Sequence, residues 1–183
     1  MSSVCLSYRS LFPYLDTGTI YMNHAAVSPF SQPVVDVLQH YIHQRSVTQI
    51  ENYFAFQPTL QETREQIAFL LNTQPERIAF VRNTSDGLNI LASGFPWQKG
   101  DRIILNDLEF PSNIYPFLNC QHFGVEIDWV RHQDGKILLE DIELLITLRT
   151  RLISISHVQF LTGYRINLEK LGQLCKAHNI LFV

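Results

Sequence analysis

Short apolar runs that alternate with amphipathic stretches constrain the fold of this sequence more than any other feature. The runs at residues 102–105, 125–130, 152–156 and 180–183 are typical of buried strands. Between them, helices are predicted at about residues 113–122, 138–148 and 167–178. Strands and helices that alternate at this short spacing predict βα units, and therefore an α/β fold with a mostly parallel sheet.

One stretch, residues 78–91, combines a predicted strand with a predicted helix start. Residues 78–81 are apolar, and they are followed by Asn83, Thr84, Ser85 and Asp86, all of which are good helix N-cap types. A helix that begins there aims free backbone N–H groups and the positive end of its dipole at one point, where a phosphate fits. The alternative is a well-capped helix that binds no ligand.

Polar loops follow the ends of three predicted strands, at residues 82–87, 106–113 and 157–163. In parallel α/β sheets, ligands bind outside the carboxyl ends of the strands. We therefore expect the three loops to lie at one edge of the sheet. Within the second loop, Asn113 is predicted to cap the following helix, and a contact with the ligand region is the alternative.

The N-terminal third is predicted to be mainly helical. A helix is expected from about Pro33, with apolar residues such as Val34, Val37 and Leu38 on one face, and another from Pro58. Residues 52–57 are rich in aromatic side chains and leave the start of the second helix ambiguous.

Composition excludes several classes of protein. With 46% hydrophobic and 17% charged residues, the 183-residue chain is typical of a globular protein. A net charge of −3 gives no drive toward nucleic acid, and no apolar run is long enough to span a bilayer. The N-terminus lacks the pattern of a signal peptide, which favours the cytoplasm. Cys5, Cys120 and Cys175 indicate neither a disulfide framework nor a metal site, and Cys175 is predicted to be a core thiol.

Four stretches in the same order resemble the class V aminotransferase family, which includes cysteine desulfurases, isopenicillin N epimerase-like proteins and kynureninases. They are residues 21–29 (YMNHAAVSP), 80–89 (FVRNTSDGLN), 109–113 (EFPSN), and 156–158 (SHV) together with 162–163 (TG). The resemblance implies part of the pyridoxal-phosphate-dependent transferase fold of type I, in three α/β/α layers. It also implies pyridoxal 5'-phosphate as cofactor, an amino acid as the small-molecule substrate and a homodimer in the full-length form, with no membrane or nucleic acid partner.

The resemblance assigns roles to seven residues. Thr84 and Ser85 would hold the cofactor phosphate, and an aromatic face at Phe110 would stack on the pyridine ring. The remaining positions would line the oxygen-bearing edge of the cofactor (His157, Gln159) or the substrate side (Asn23, His24). A plain turn at Asn23 and His24, a structural histidine at His157 and a core aromatic at Phe110 are the alternatives.

Two positions depart from the desulfurase pattern. Phe110 stands where desulfurases carry a histidine that moves protons, and Phe160 stands where they carry an asparagine. Both departures favour the epimerase-like or kynureninase-like branches.

The family's covalent lysine and its pyridinium-pairing aspartate are not found in this sequence. The lysines present, Lys99, Lys136, Lys170 and Lys176, lie outside the family's lysine motif. We therefore expect an N-terminal segment (1–57) and the first part of the cofactor-binding domain (58–183), inactive alone. The alternatives are a non-catalytic remnant, an interaction module or one half of a split enzyme.

Overall fold

The computed structural model of the chain describes residues 8–183, which fall into two compact units. The boundary between the units lies between Ala79 and Phe80. Cys5 and the first residues of the N-terminal lead-in lie outside the described residues. The expected functional division into residues 1–57 and 58–183 stays a prediction.

The helices and strands follow the alternation that the sequence predicts. The first unit contains α1 (Gln32–Val47) and α2 (Tyr53–Leu70). The second unit contains, in order, α3 (Thr84–Gly94), β1 (Arg102–Asn106), α4 (Tyr115–Leu118), β2 (Glu126–Val130), α5 (Leu139–Leu145), β3 (Thr150–Ile153), α6 (Leu168–Ala177) and β4 (Leu181–Phe182). None of the helices in residues 8–183 combines the length and the apolar character that crossing a membrane requires.

The four strands form one parallel sheet in the order β2-β1-β3-β4. Ile103 of β1 pairs with Ile127 of β2 on one side and with Leu152 of β3 on the other. Ile153 of β3 pairs with Phe182 of β4. Since β1 and β3 are flanked on both sides, they are central strands, and their apolar sequences match that position. The predicted α/β class and mostly parallel sheet are confirmed.

Helices cover both faces of this sheet. The side chains of Ile103 and Leu105 pack on one face, against α3 and α4, while Ile104 and Ile153 pack on the other, against α5 and α6. The first cluster also contains Ala92, Phe117, Cys120, Val125 and Leu152, and the second also contains Leu108, Val130, Ile137, Ile142, Ile155, Ile166, Leu171, Cys175 and Ile180. The arrangement is the three-layer α/β/α architecture that the resemblance implies.

The strand predicted at residues 78–81 is wrong. Ile78 has an extended backbone, with φ −98° and ψ 118°, but the segment is not among the four strands of the sheet. Apolar, β-branched sequence favours extended backbone, whereas a strand also requires a hydrogen-bonded ladder. The helix that follows is confirmed as α3.

The helix predicted at residues 113–122 is interrupted. Only Tyr115–Leu118 is α-helical, between 3-10 turns at Pro111–Asn113 and Asn119–Phe123. Pro111 and Pro116 have no backbone N–H, which limits continuous α-helical bonding and allows short 3-10 turns instead. The cap predicted at Asn113 is also wrong, because its buried side chain accepts a hydrogen bond from Ser154 and caps no helix.

The helix predicted to begin at Pro58 begins five residues earlier, at Tyr53. Pro58 lies inside α2, where it cannot donate to the carbonyl of Phe54. Because this lost bond lies near the start of α2, the following turns to Leu70 remain helical.

Candidate functional site

The first turn of α3 presents unused hydrogen-bond donors. Asn83 is the N-cap residue, and its side-chain oxygen accepts a hydrogen bond from the backbone N–H of Asp86 at 2.8 Å. The backbone N–H groups and hydroxyls of Thr84 and Ser85 donate to no group within residues 8–183. Free donors at the positive end of a helix dipole favour an anion.

An acidic residue lies in the same turn. The carboxylate of Asp86 accepts a hydrogen bond from Nε of Arg82 at 2.7 Å, and these two groups form an i,i+4 ion pair. The Arg82 side chain is 89% exposed. The pair offsets the charge of Asp86, which would otherwise disfavour an anion at this helix end.

Ser85 and Phe110 line one cavity of about 500 Å³ beside the first turn of α3. The other lining residues are Asn89, Pro111, Ser112, Tyr115, Pro116 and Asn119. Phe110 is 51% exposed, so part of its ring is free to contact a ligand. The structure therefore brings together one predicted phosphate contact and the predicted stacking ring, while Thr84 is not among the lining residues.

The ring of Phe110 is supported from the side by a second aromatic ring. The centroids of Phe110 and Phe160 lie 5.1 Å apart with an interplanar angle of 90°, an edge-to-face contact. The two positions at which the sequence departs from the desulfurase pattern are thus in contact with each other. Neither side chain can accept or donate a proton.

A buried carboxylate joins the loops that follow β1 and β3. Glu109, which is 5% exposed, accepts hydrogen bonds at Oε1 from Asn106 Nδ2 at 2.7 Å, Ser156 N at 2.7 Å and Gln159 Nε2 at 2.9 Å. Its Oε2 accepts a further bond from the Ser156 hydroxyl at 2.7 Å. The predicted proximity of the 106–113 and 157–163 loops is confirmed by these bonds.

The environment of Glu109 keeps it ionised. Burial acts to raise the pKa of this carboxyl, but hydrogen bonds donated by Gln159 and Ser156 outweigh burial and hold the pKa below its usual range. Donors that satisfy a carboxylate stabilise its charged form.

Gln159 is buried rather than open to a ligand. Its side chain is 2% exposed, and because Nε2 donates to Glu109, the Oε1 atom is the acceptor that remains. Oε1 is a buried atom with no hydrogen-bond partner in residues 8–183. A direct contact between Gln159 and a cofactor stays a prediction, and it requires the side chain to become accessible.

His157 lines a different cavity. It contributes, with Arg165 and the start of α6, to a space of about 380 Å³. The carbonyl of His157 accepts a hydrogen bond from the backbone N–H of Ile166 at 3.1 Å. The structure thus does not bring its ring into the cavity of Ser85 and Phe110, and its predicted role is untested.

Asn23 and His24 belong to the first compact unit, in a loop built around Tyr21. The Tyr21 hydroxyl lies within hydrogen-bonding distance of the carbonyls of Asn23 at 3.1 Å and Val27 at 2.5 Å. The ring of His24 meets that of Tyr21 edge-to-face, and its Nδ1 lies 3.3 Å from the Ser28 hydroxyl. The substrate-side role of Asn23 and His24 stays a prediction.

The cysteines and metal-ligating side chains within residues 8–183 add no further site. Cys175 is 1% exposed, and burial raises the pKa of its thiol to about 11, which confirms the predicted core thiol. No group of three or more metal-ligating side chains occurs in the described part of the chain.

Sequence reasoning missed Glu109 and Asn106 as members of the site. Glu109 was part of a matching stretch, but its carboxylate had no assigned role. A polar residue next to the end of a central strand, where the apolar pattern stops, is the signal that could have identified Asn106.

The model of the class V aminotransferase family matches residues 20–183. A probable cysteine desulfurase of Borreliella burgdorferi is 34% identical over 176 residues, which cover 90% of this chain and 42% of the relative. Among solved structures, the cysteine desulfurase CsdA of Escherichia coli is similar at a TM-score of 0.83 and 23% identity, covering 97% of this chain and 47% of that one. A C-DES variant with glycine covalently linked to its pyridoxal phosphate cofactor is similar at a TM-score of 0.81 and 21% identity. The likeness covers 95% of this chain and 47% of that one.

The structural likeness places the fold among those of pyridoxal-phosphate-dependent enzymes. The family match, which covers most of the sequence, goes further: the chain belongs to the class V aminotransferase family. It spans between 41% and 44% of the length of the first curated relatives that it matches.

Proposed function

We propose that this chain forms the phosphate- and ring-binding part of a pyridoxal-phosphate-dependent enzyme that acts on an amino acid. The observation that carries the proposal is the shared cavity of Ser85, at the N-terminus of α3, and the half-exposed ring of Phe110. Donors for an anion and an aromatic face for a flat ring are the two features that this cofactor needs. Pyridoxal phosphate is the cofactor of the family.

The residues present fit the cofactor. The free N–H groups and hydroxyls of Thr84 and Ser85 would hold the phosphate, with the dipole of α3 behind them. Phe110 would hold the plane of the ring, and Phe160 would keep Phe110 in place. When bound, pyridoxal phosphate supplies an electron sink for reactions at the α-carbon of an amino acid.

The reaction type that we favour is epimerase-, lyase- or aminotransferase-like. Two of the similar proteins named above are cysteine desulfurases, and the desulfurase pattern of the family carries a histidine and an asparagine where this sequence has Phe110 and Phe160. This apolar pair can move no proton, so proton transfer would have to come from other groups. His157, Asn23 and His24 are the candidates that the family resemblance supplies for the cofactor edge and the substrate side.

We propose that the chain is inactive alone, works in the cytoplasm and reaches activity in a dimeric assembly. Its four lysines lie outside the family's lysine motif, so the covalent anchor must come from elsewhere. One half of a split enzyme is the second candidate, favoured by the many exposed apolar side chains of α1 and α2. The chain is incubated with pyridoxal phosphate and reduced with borohydride. Stoichiometric label on any of the four lysines would show that this chain supplies the covalent anchor itself, and would contradict this part of the proposal.

A cofactor titration tests the proposal. The chain is titrated with pyridoxal phosphate alone and after mixing with a polypeptide that supplies the remainder of the family fold. Thr84→Ala and Phe110→Ala should each weaken binding by about tenfold to a hundredfold, because a charge-assisted hydrogen bond or a ring stack contributes roughly 1.5–3 kcal/mol. Thr63→Ala and Phe54→Ala, which remove the same groups from a half-buried and an exposed position of α2, are the controls and should leave binding unchanged.

The two effects should nearly add, since the substitutions affect opposite ends of the cofactor. If neither substitution changes the affinity, the first turn of α3 is only a capped helix end and the proposal fails.

A further inference from the structure

Glu109 is a buried charge without a charged partner. No ion pair involves it within residues 8–183, and its two oxygens instead accept four hydrogen bonds from Asn106, Ser156 and Gln159. Burying a carboxylate costs free energy of folding, and apolar residues of similar volume often give the folded state the same stability. The network therefore points to a role other than stability.

The donors on Glu109 come from the end of β1 and from the loop after β3. Asn106 is the last residue of β1, and Glu109 lies in the loop that follows, where it directly precedes Phe110. Ser156 and Gln159 belong to the loop after β3, in which Gln159 directly precedes Phe160. The carboxylate thus ties together the backbone segments that support the edge-to-face pair of Phe110 and Phe160.

The carboxylate also sets the orientation of the Gln159 amide. An ionised carboxylate can only accept, so Gln159 must direct Nε2 toward Glu109 and its Oε1 away from it. A neutral amide at position 109 could bond to either end of the Gln159 side chain. The charge of Glu109 therefore selects one of two amide orientations.

We propose that Glu109 is a positioning residue, which holds the Phe110 and Gln159 loops in the arrangement that receives pyridoxal phosphate. The cofactor part of this inference rests on the proposed function. Glu109 does not itself line the cavity of Ser85 and Phe110, and it acts through its neighbours.

The central test is Glu109→Gln, with Glu143→Gln as the matched control on an exposed carboxylate of α5. A glutamine keeps the size and can place its carbonyl at the position of Oε1, while its amide donates to the Ser156 hydroxyl. It therefore loses the charge with little change of shape. Amide hydrogen exchange is measured on the cofactor-free chain, and the circular dichroism of the bound cofactor is measured at saturating pyridoxal phosphate.

In Glu109→Gln, exchange at residues 106–113 and 156–160 should accelerate about tenfold, since charge-assisted bonds become neutral ones. Exchange in the central strands, at residues 103–105 and 152–153, should stay as in the wild type. The dichroism of the bound cofactor should change even when the site is saturated, which a loss of stability alone does not produce. Glu109→Ala, which removes all four bonds, should accelerate loop exchange further.

Three outcomes would overturn the inference: unchanged loop exchange, an equal acceleration in the central strands, or unchanged dichroism at saturation. The second would make Glu109 a stabilising residue only. Absence of any cofactor signal in the wild-type chain, both alone and mixed with the polypeptide that supplies the remainder of the fold, would count against the proposed function. Loop exchange would still decide whether Glu109 holds the two loops.

Discussion

The two compact units differ in how much apolar surface they bury. Nearly every buried apolar side chain in residues 8–183 lies in the unit Phe80–Val183, and Ala68 is the exception. In α1, no residue is buried, although its sequence has the apolar pattern of an amphipathic helix. The same pattern that predicts a helix therefore does not predict that the helix is covered.

The sheet explains the difference. Each central strand of the second unit offers side chains to two faces, and helices from the same unit cover both. Two helices without a sheet have only narrow apolar stripes to offer each other. In the first unit the apolar side chains that remain exposed include Ile20, Met22, Val37, Ile42, Val47, Ile50, Tyr53, Phe54, Phe69 and Leu70.

The largest expected contrast is between two phenylalanines. Phe117, which is 0% exposed, lies in the second unit, and Phe54, which is 87% exposed, lies in the first. Phe117→Ala should lower the free energy of unfolding by about 3–5 kcal/mol, because a cavity replaces the ring, whereas Phe54→Ala should change it by less than about 0.5 kcal/mol. Both tryptophans, Trp97 and Trp129, lie in the second unit, so urea unfolding followed by their fluorescence measures Phe117→Ala, and far-ultraviolet circular dichroism measures Phe54→Ala in the first unit.

A change for Phe54→Ala as large as that for Phe117→Ala would break the comparison between the units. It would mean that the exposed helices contribute as much stability as the sheet and its layers.

The exposed helices should also drive association. Exposed apolar patches above a few hundred Å² favour it, and Val37 and Ile42 of α1 are 67% and 62% exposed. Replacing both by lysine should raise the concentration of half-association by about tenfold or more, since burying one such side chain contributes roughly 1.5–3 kcal/mol. The double variant His40→Lys and Gln44→Lys adds the same number of lysines at polar positions of α1 and is the control. Sedimentation velocity measures the association of the wild type and of both double variants. Equal association of the two double variants, or a monomeric wild type, would contradict the prediction that α1 drives association.

The sequence predicted the regular parts of the second unit because they are determined locally. The strands at residues 102–106 and 126–130 and the helix α6 lie within a few residues of their predicted positions, since alternating or 3.6-residue apolar periods fix them. The prediction failed where long-range pairing decides, as at residues 78–81, and where prolines interrupt bonding, as at Pro116.

The site was predictable to a smaller extent. The proximity of Ser85 and Phe110 was expected from the rule that loops gather at the carboxyl edge of a parallel sheet, although the strand predicted before Ser85 is not formed. The position of His157 in a separate cavity and the hydrogen bonds of Glu109 depend on side-chain packing between loops, which no local period encodes.

The smallest expected contrast concerns helix caps. Asn167, the N-cap residue of α6, accepts a hydrogen bond at Oδ1 from the backbone N–H of Lys170 at 3.0 Å, whereas Ser31, the N-cap residue of α1, makes no side-chain cap bond. Asn167→Ala should therefore lower the free energy of unfolding by about 1 kcal/mol, and Ser31→Ala by no more than a few tenths. Urea unfolding followed by tryptophan fluorescence for Asn167→Ala and by far-ultraviolet circular dichroism for Ser31→Ala measures both. An equal loss in the two variants would mean that Ser31 caps α1 in solution, and that the first unit is held together more firmly than its exposed side chains indicate.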